Sequence, residues 1–105
     1  MTLEAIDHVQ VAIPAGGEAA ARSFYGGVLG LAERPKPPEL ARRGGCWFEN
    51  GRVTLHCGVD SGFTPATKAH IAFRVDDDLL EGHERIYIHD PFGNRLEFLH
   101  PIGAE

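Results

Sequence analysis

His8-Val9-Gln10-Val11-Ala12-Ile13 and His70-Ile71-Ala72-Phe73-Arg74-Val75 decide how this chain is read. In both stretches large apolar side chains alternate with other residues, the period of a half-buried strand. Val9, Val11 and Ile13 share one face of the first; Ile71, Phe73 and Val75 share one face of the second. The opposite parity carries His8, Gln10 and Ala12, then His70, Ala72 and Arg74. Each stretch opens on a histidine, at an offset of 62 residues. A repeat of this kind points to two related modules.

Working outward, the first strand extends back to Ile6 and stops at Pro14. Residues 17–29 read as a helix, with Ala20, Phe24 and Val28 four apart and Ala21 and Tyr25 beside them. Gly30 suits a left-handed C-terminal cap. Residues 31–38 have room for a short edge strand, limited by Pro35, Pro37 and Pro38. Cys46–Glu49 and Arg52–Cys57 flank Asn50-Gly51, a two-residue hairpin signal with φ > 0 at both positions. Residues 58–68 form a loop. Strands follow at His70–Val75, Arg85–Asp90 and Arg95–His100, with a turn at Asp90-Pro91-Phe92-Gly93-Asn94.

The repeat extends to the ends of the modules. Asn50-Gly51-Arg52-Val53-Thr54 resembles Phe92-Gly93-Asn94-Arg95-Leu96-Glu97, which aligns Arg52 with Arg95 and Thr54 with Glu97 at an offset of 43. The halves are unequal: His8 to Arg52 is 44 residues, His70 to Arg95 only 25. The deficit of 19 falls within 76–84 and is about the size of one helix and one strand. Without them Ile71, Phe73, Val75, Ile86 and Ile88 lose their cover, at roughly 1.5–3 kcal/mol each. Either a partner chain covers that face or a segment is absent. Asp76-Asp77-Asp78 followed by Leu79-Leu80-Glu81-Gly82-His83 reads as two loop ends joined, which favours the absent segment over a true deletion. A homodimer is also expected.

Strand parity decides which side chains can meet. The parity opposite the aliphatic one collects His8, Gln10, Thr54, His56, His70, Arg74, Arg85, Tyr87, His89, Arg95 and Glu97. Two imidazoles and a carboxylate, His8, His70 and Glu97, form a donor set that leaves positions open for water and substrate. Such a set suits Zn²⁺, Ni²⁺, Fe²⁺ or Mn²⁺. No HExxH or CxxC pattern is present. Taken singly, each histidine is more often a hydrogen-bonded strand residue than a ligand. Glu97 alone is more often the partner of Arg95 or Arg74. His56 and Tyr87 are candidates for acid–base work, and Gln10, Trp47, Arg85 and Arg95 for substrate binding. Trp47 fits a cavity wall or a dimer contact. His89 and His100, at strand ends, are expected to be solvated, and Cys46 and Cys57 to be buried as small hydrophobes.

Bulk composition narrows the function classes. The chain has 105 residues, room for one domain. Ten basic against 15 acidic residues give a net charge of −5, which argues against nucleic-acid binding. No apolar run approaches the ~20 residues of a membrane helix, and the first residues do not read as a signal peptide. Two cysteines fit neither a disulfide scaffold nor a zinc finger, so a reducing, cytoplasmic setting is expected.

Four segments together resemble the vicinal oxygen chelate superfamily of glyoxalases, bleomycin-resistance proteins and extradiol dioxygenases. They are Ile6-Asp7-His8-Val9, Phe24-Tyr25-Gly26-Gly27-Val28-Leu29-Gly30-Leu31, His70–Val75 and, most specifically, Asp90-Pro91-Phe92-Gly93-Asn94-Arg95-Leu96-Glu97. The resemblance implies an α+β fold of paired βαβββ modules with curved mixed sheets around a cavity. The modules would span about 5–58 and 69–101, the second apparently shortened. It implies His8, His70 and Glu97 as metal ligands. Glyoxalase I-like members carry a fourth ligand, a glutamate, which the resemblance puts at Thr54, so three ligands are expected here. His56 shares the face of Thr54; plain cavity lining is favoured for it over a substitute ligand or an acid–base group. The activity implied is a divalent-metal-dependent lyase, isomerase, thiol transferase or dioxygenase acting on a small oxygen-bearing substrate. A metal-free small-molecule-binding protein of the bleomycin-resistance type is the alternative.

Overall fold

The computed structural model describes residues 1–76 and 84–100. The chain divides into two units, Met1–Thr64 and Pro65–Glu105. Each holds one mixed sheet, giving an α+β fold.

The first unit contains β1 (Val9–Ile13), α1 (Glu18–Ala21), β2 (Ala32–Arg34), α2 (Pro38–Ala41), β3 (Cys46–Asn50) and β4 (Val53–Val59). Its sheet runs β1-β4-β3-β2, with β1 parallel to β4 and the other neighbours antiparallel. β1 begins at Val9, not Ile6. It pairs with β4 only from Leu55 onward, and Ile6 is 80% exposed. The helix expected over 17–29 is present, but its second part, Arg22–Val28, is widened to π-helical geometry. Gly30, at φ +77°, ends it. There the Leu31 N–H donates back to the Tyr25 carbonyl at 3.0 Å, a seven-to-one closure one residue wider than the usual Schellman bond. The buried stripe is Ala21 and Tyr25, whereas Ala20 and Val28 are exposed.

The hairpin between β3 and β4 turns at Gly51-Arg52 rather than Asn50-Gly51. Only Gly51 has positive φ, +53°, the pattern of a II′ turn that takes glycine first. Ile13, Leu31, Cys46, Phe48, Leu55 and Cys57 pack with the helix residues as the core of this unit. Cys46 and Cys57 are free thiols directly paired across the strands.

The second unit contains β5 (Ile71–Arg74), β6 (Arg85–His89) and β7 (Arg95–Leu99), in the order β5-β7-β6. β5 is parallel to β7 and β6 antiparallel to it. Among the described residues this is the first sheet without a counterpart of β2, so the two units share a strand topology. Of the stretch 76–84 to which the 19-residue deficit is assigned, residues 77–83 lie outside the described residues. Leu96 and Phe98 are buried on the central strand, and Phe73 stacks on Phe98 with ring centroids 5.6 Å apart. His100, expected to be solvated, instead has its Nδ1 3.0 Å from the Val75 carbonyl oxygen. Among the described residues no helix is long and apolar enough to cross a membrane.

Candidate metal and substrate site

Register identifies which residues of the two modules correspond. Gln10 lies opposite His56 in the parallel pair of the first unit, and Ala72 lies opposite Glu97 in that of the second. His8 and His70 each stand two residues before those positions, on the same parity. Trp47 pairs with His56, and Tyr87 with Glu97. The residue equivalent to Glu97 is therefore His56, at an offset of 41. Thr54, aligned with Glu97 from sequence at 43, corresponds instead to Arg95. Each module thus presents a histidine ahead of its first strand and a second donor diagonally across the parallel pair.

In the first unit those two residues stack. The His8 and His56 rings lie 4.1 Å apart, and the other neighbour of His56 is the Trp47 indole at 4.2 Å, nearly coplanar at 5°. Non-hydrogen-bonded antiparallel pairs bring side chains closest, which suits this contact. Burial and the adjacent His8 hold the His56 imidazole below its ordinary pKa, with Lys36 adding to the shift against Asp7. His8 Nδ1 is 2.9 Å from Asp7 Oδ2. A carboxylate there fixes the proton on Nδ1 and leaves Nε2 as a lone pair.

In the second unit the two residues are bonded. His70 Nδ1 is 2.9 Å from the Lys68 carbonyl oxygen, and His70 Nε2 is 3.0 Å from Glu97 Oε1. A carbonyl oxygen only accepts, so the Nδ1 proton is committed to it. With one proton on the ring, Nε2 is a lone pair facing a carboxylate oxygen; with two, Nε2–H donates to it. Two lone pairs facing each other at 3.0 Å require a cation between or beside them, either an added proton or a metal ion. Two donors about 2.1 Å from one ion, at a right angle, are themselves about 3.0 Å apart. The pair fits a divalent ion on chemistry and on spacing.

Glu97 is 5% exposed, and its second oxygen, Oε2, accepts from Arg85 at 3.1 Å. The competitor for Glu97 is thus Arg85, not Arg95 or Arg74. Arg95 lies over the Tyr87 ring, 4.2 Å from its centroid, as a cation–π contact. Tyr87 also bonds Arg85, the first of the influences that raise the guanidinium pKa, ahead of Glu97. The edge of Tyr87 meets His70 at 5.8 Å. Within either unit, no three His, Cys, Asp or Glu side chains among the described residues gather closely enough to hold a metal ion. Each module supplies a donor pair.

The Asp90–Asn94 segment proves to be a brace. Asp90 Oδ1 accepts from the N–H groups of Phe92 and Asn94, and Oδ2 from Asn94 Nδ2, all at 2.9 Å. Asn94 Oδ1 in turn accepts from Ala66 N–H at 2.9 Å. These bonds fix the hairpin that delivers β7 and Glu97.

A cavity of about 220 Å³ opens on the first sheet. Gln10, Trp47 and His56 line it, as expected from parity. Lys36 and Arg43 also line it and went unnoticed in the sequence. They sit beside α2, a four-residue helix whose only sequence signal is Pro37-Pro38.

No family model matches the chain, and no curated protein matches it. Solved structures do. A glyoxalase family protein from Bacillus anthracis is 43% identical over 95% of this chain and 97% of its own, with a TM-score of 0.83. A lactoylglutathione lyase from Agrobacterium tumefaciens is 24% identical over 95% and 96%, with a TM-score of 0.61. The fosfomycin resistance protein FosX from Listeria monocytogenes is 12% identical over 99% and 96%, with a TM-score of 0.71. The last two share the fold.

Proposed function

Since the chain belongs to the glyoxalase family of the vicinal oxygen chelate superfamily, we propose that it is a divalent-metal-dependent enzyme acting on a small oxygen-bearing substrate, with His8, His70 and Glu97 as ligands. The observation that carries this is the His70–Glu97 contact. With Nδ1 committed to the Lys68 carbonyl, Nε2 faces Oε1 at 3.0 Å, a pair that a proton or a divalent ion completes, and the ion is the reading proposed here. Asp7 prepares His8 in the same way. A bound Zn²⁺, Ni²⁺, Fe²⁺ or Mn²⁺ would supply Lewis-acid polarisation of substrate oxygens.

The chain's own groups have separable tasks. His56, held neutral and with no protein hydrogen bond at either ring nitrogen among the described residues, accepts a proton from the substrate. Tyr87 offers a hydroxyl beside His70, oriented by Arg85 and by the guanidinium of Arg95 over its ring. Gln10 and Trp47 contact substrate from the first sheet; Arg85 and Arg95 do so from the second. The working state is a homodimer in the cytoplasm.

Elemental analysis of protein purified without chelators tests the reading. The expected result is close to stoichiometric divalent metal, lost in Glu97→Gln together with activity. Wild-type protein that stays metal-free after incubation with each of the four ions overturns it. One observation favours a second reading. Arg85 already neutralises Glu97 at 3.1 Å, as a metal-free small-molecule-binding protein would need. The same analysis separates the two.

A further inference from the structure

The 220 Å³ cavity on the first sheet has a charge at odds with the rest of the chain. The chain carries −5 overall, yet the cavity is lined by Lys36 and Arg43 and by no carboxylate. We propose that this cavity binds a small organic acid, with its oxyanion between Lys36 and Arg43 and its remaining atoms against Trp47 and Gln10. The proposal rests on the enzyme reading for its role, since the acid would be the substrate, but not for its chemistry.

The cations flank a built arch, with Lys36 half-buried and Arg43 exposed. Pro37 caps α2 and Pro38 opens it, which stiffens the segment that carries Lys36. Lys36 Nζ donates to the Gly44 carbonyl, one of its three donors, leaving two for a ligand. Gly44 and Gly45 have φ of +78° and +84°. A Cβ at Gly45 would lie 2.2 Å from the Cys57 carbonyl oxygen, so only glycine lets the arch press onto β4. Glu18 Oε2 fastens it by accepting from Gly45 N–H at 2.8 Å. That bond is the main cause of the lowered Glu18 pKa. The charge of Glu18 reaches Lys36, but Glu18 does not line the cavity. Arg43 has no acidic partner among the described residues. Gly58 completes the floor: a Cβ there would lie 2.6 Å from Gln10 Nε2, so its absence lets the amide lie across β4.

Two cations in a recess bind an oxyanion more strongly than they do on an open surface, because low-dielectric walls focus their field. Size limits the rest of the ligand. The volume equals about seven waters at ~30 Å³ each, below the ~300 Å³ at which drug-sized sites begin. A carboxylic or phosphonic acid of a few carbons fills it, and a larger ligand would extend past its open mouth.

Trp47 is the only tryptophan and lines the cavity, so its fluorescence reports occupancy directly. Chelator-treated protein is titrated with lactate and methylphosphonate, and with the uncharged lactamide and dimethyl methylphosphonate. We expect at least one acid to shift the emission saturably, with its neutral analogue at least about tenfold weaker. Lys36→Gln and Arg43→Gln should each weaken that acid by about tenfold, and Lys36→Arg should restore most of the loss. Circular dichroism confirms that each variant is folded. Which acid binds separates carboxylate from phosphonate. Neutral analogues binding as well as the acids, affinity unchanged in the folded Lys36→Gln/Arg43→Gln double variant, or no saturable shift with either acid overturns the proposal. The proteins are metal-stripped, and neither cation is a proposed metal ligand. Failure here therefore leaves the metal reading standing, and absence of metal leaves this one standing.

Discussion

Replacing Asp90 with alanine should destabilise the protein by about 3–5 kcal/mol. Asp90 is 4% exposed and accepts three hydrogen bonds, from Phe92 N–H, Asn94 N–H and Asn94 Nδ2, each at 2.9 Å. Bonds to a charged acceptor are worth roughly 1.5–3 kcal/mol each, a gross loss of about 4.5–9 kcal/mol. Part is returned, because the variant no longer buries a charge and water can reach the vacated site. Alanine also leaves the Asn94 amide without the partner that orients its Oδ1 toward Ala66 N–H. The remaining few kcal/mol is a large share of an ordinary domain's stability and should lower Tm by about 15 °C or more. Urea unfolding followed by far-ultraviolet circular dichroism measures it. Asp90→Asn keeps one oxygen acceptor and should lose about half as much. A loss under about 1 kcal/mol in Asp90→Ala would show that the turn holds without the carboxylate, and would refute the assignment of the motif as a brace.

Two further outcomes follow from geometry and charge. Gly45→Ala should cost more than about 3 kcal/mol, since it adds both a strained φ and a clash with the Cys57 carbonyl; urea unfolding close to wild type would contradict the tight arch. His56 has its folded-state pKa depressed, so its neutral form contributes stability that is present above the unfolded value near ~6.5 and is lost as pH falls through the lower folded value. In chelator-treated protein, unfolding free energy should therefore decline from pH 8 to pH 5.5 more steeply than in His56→Gln; equal slopes would refute it.

Much of the fold was legible because a strand's period is short and strict. The parity of His8, His56, His70, Tyr87 and Glu97 could be read from alternation alone. The correspondence between modules was not so protected. Aligning Thr54 with Glu97 slips the last strand by two residues, and a slip of two keeps every side chain on its face. The error stayed invisible until register was known. The hairpins themselves differ: two residues, Gly51-Arg52, join β3 to β4, whereas five, Asp90–Asn94, join β6 to β7. Tripeptides of the same composition, Asn50-Gly51-Arg52 and Gly93-Asn94-Arg95, favour the wrong offset. The helix face failed for a related reason, because π-helical widening over Arg22–Val28 changes the period on which an i, i+4 stripe depends. Lys36 and Arg43 lie in an arch with no period at all. Their placement depends on Pro37, Pro38, Gly44 and Gly45, which a pattern search treats only as punctuation.

The corrected correspondence gives His56 a role that can be decided. It occupies in the first module the position that Glu97 occupies in the second, beside a histidine in each case. Two roles are open to a neutral imidazole there, a fourth ligand or a base, and they predict different losses. A ligand is needed for retention of the ion, so its removal lowers metal content and activity together. A base is needed only for proton transfer, which typically contributes about 10²–10⁴-fold in rate. The Trp47 and His8 rings cover the faces of the His56 ring, while its nitrogens bond to no described protein group. Stacking of this kind is worth about 0.5–1.5 kcal/mol, so His56→Gln should fold. We expect it to keep its metal, unlike Glu97→Gln, and to lose kcat with the acidic limb of the pH–rate profile altered, where a base of lowered pKa titrates. Metal content falling in parallel with activity would make His56 a ligand and leave proton transfer to Tyr87. In that event Tyr87→Phe, with metal retained, should carry the kcat loss instead.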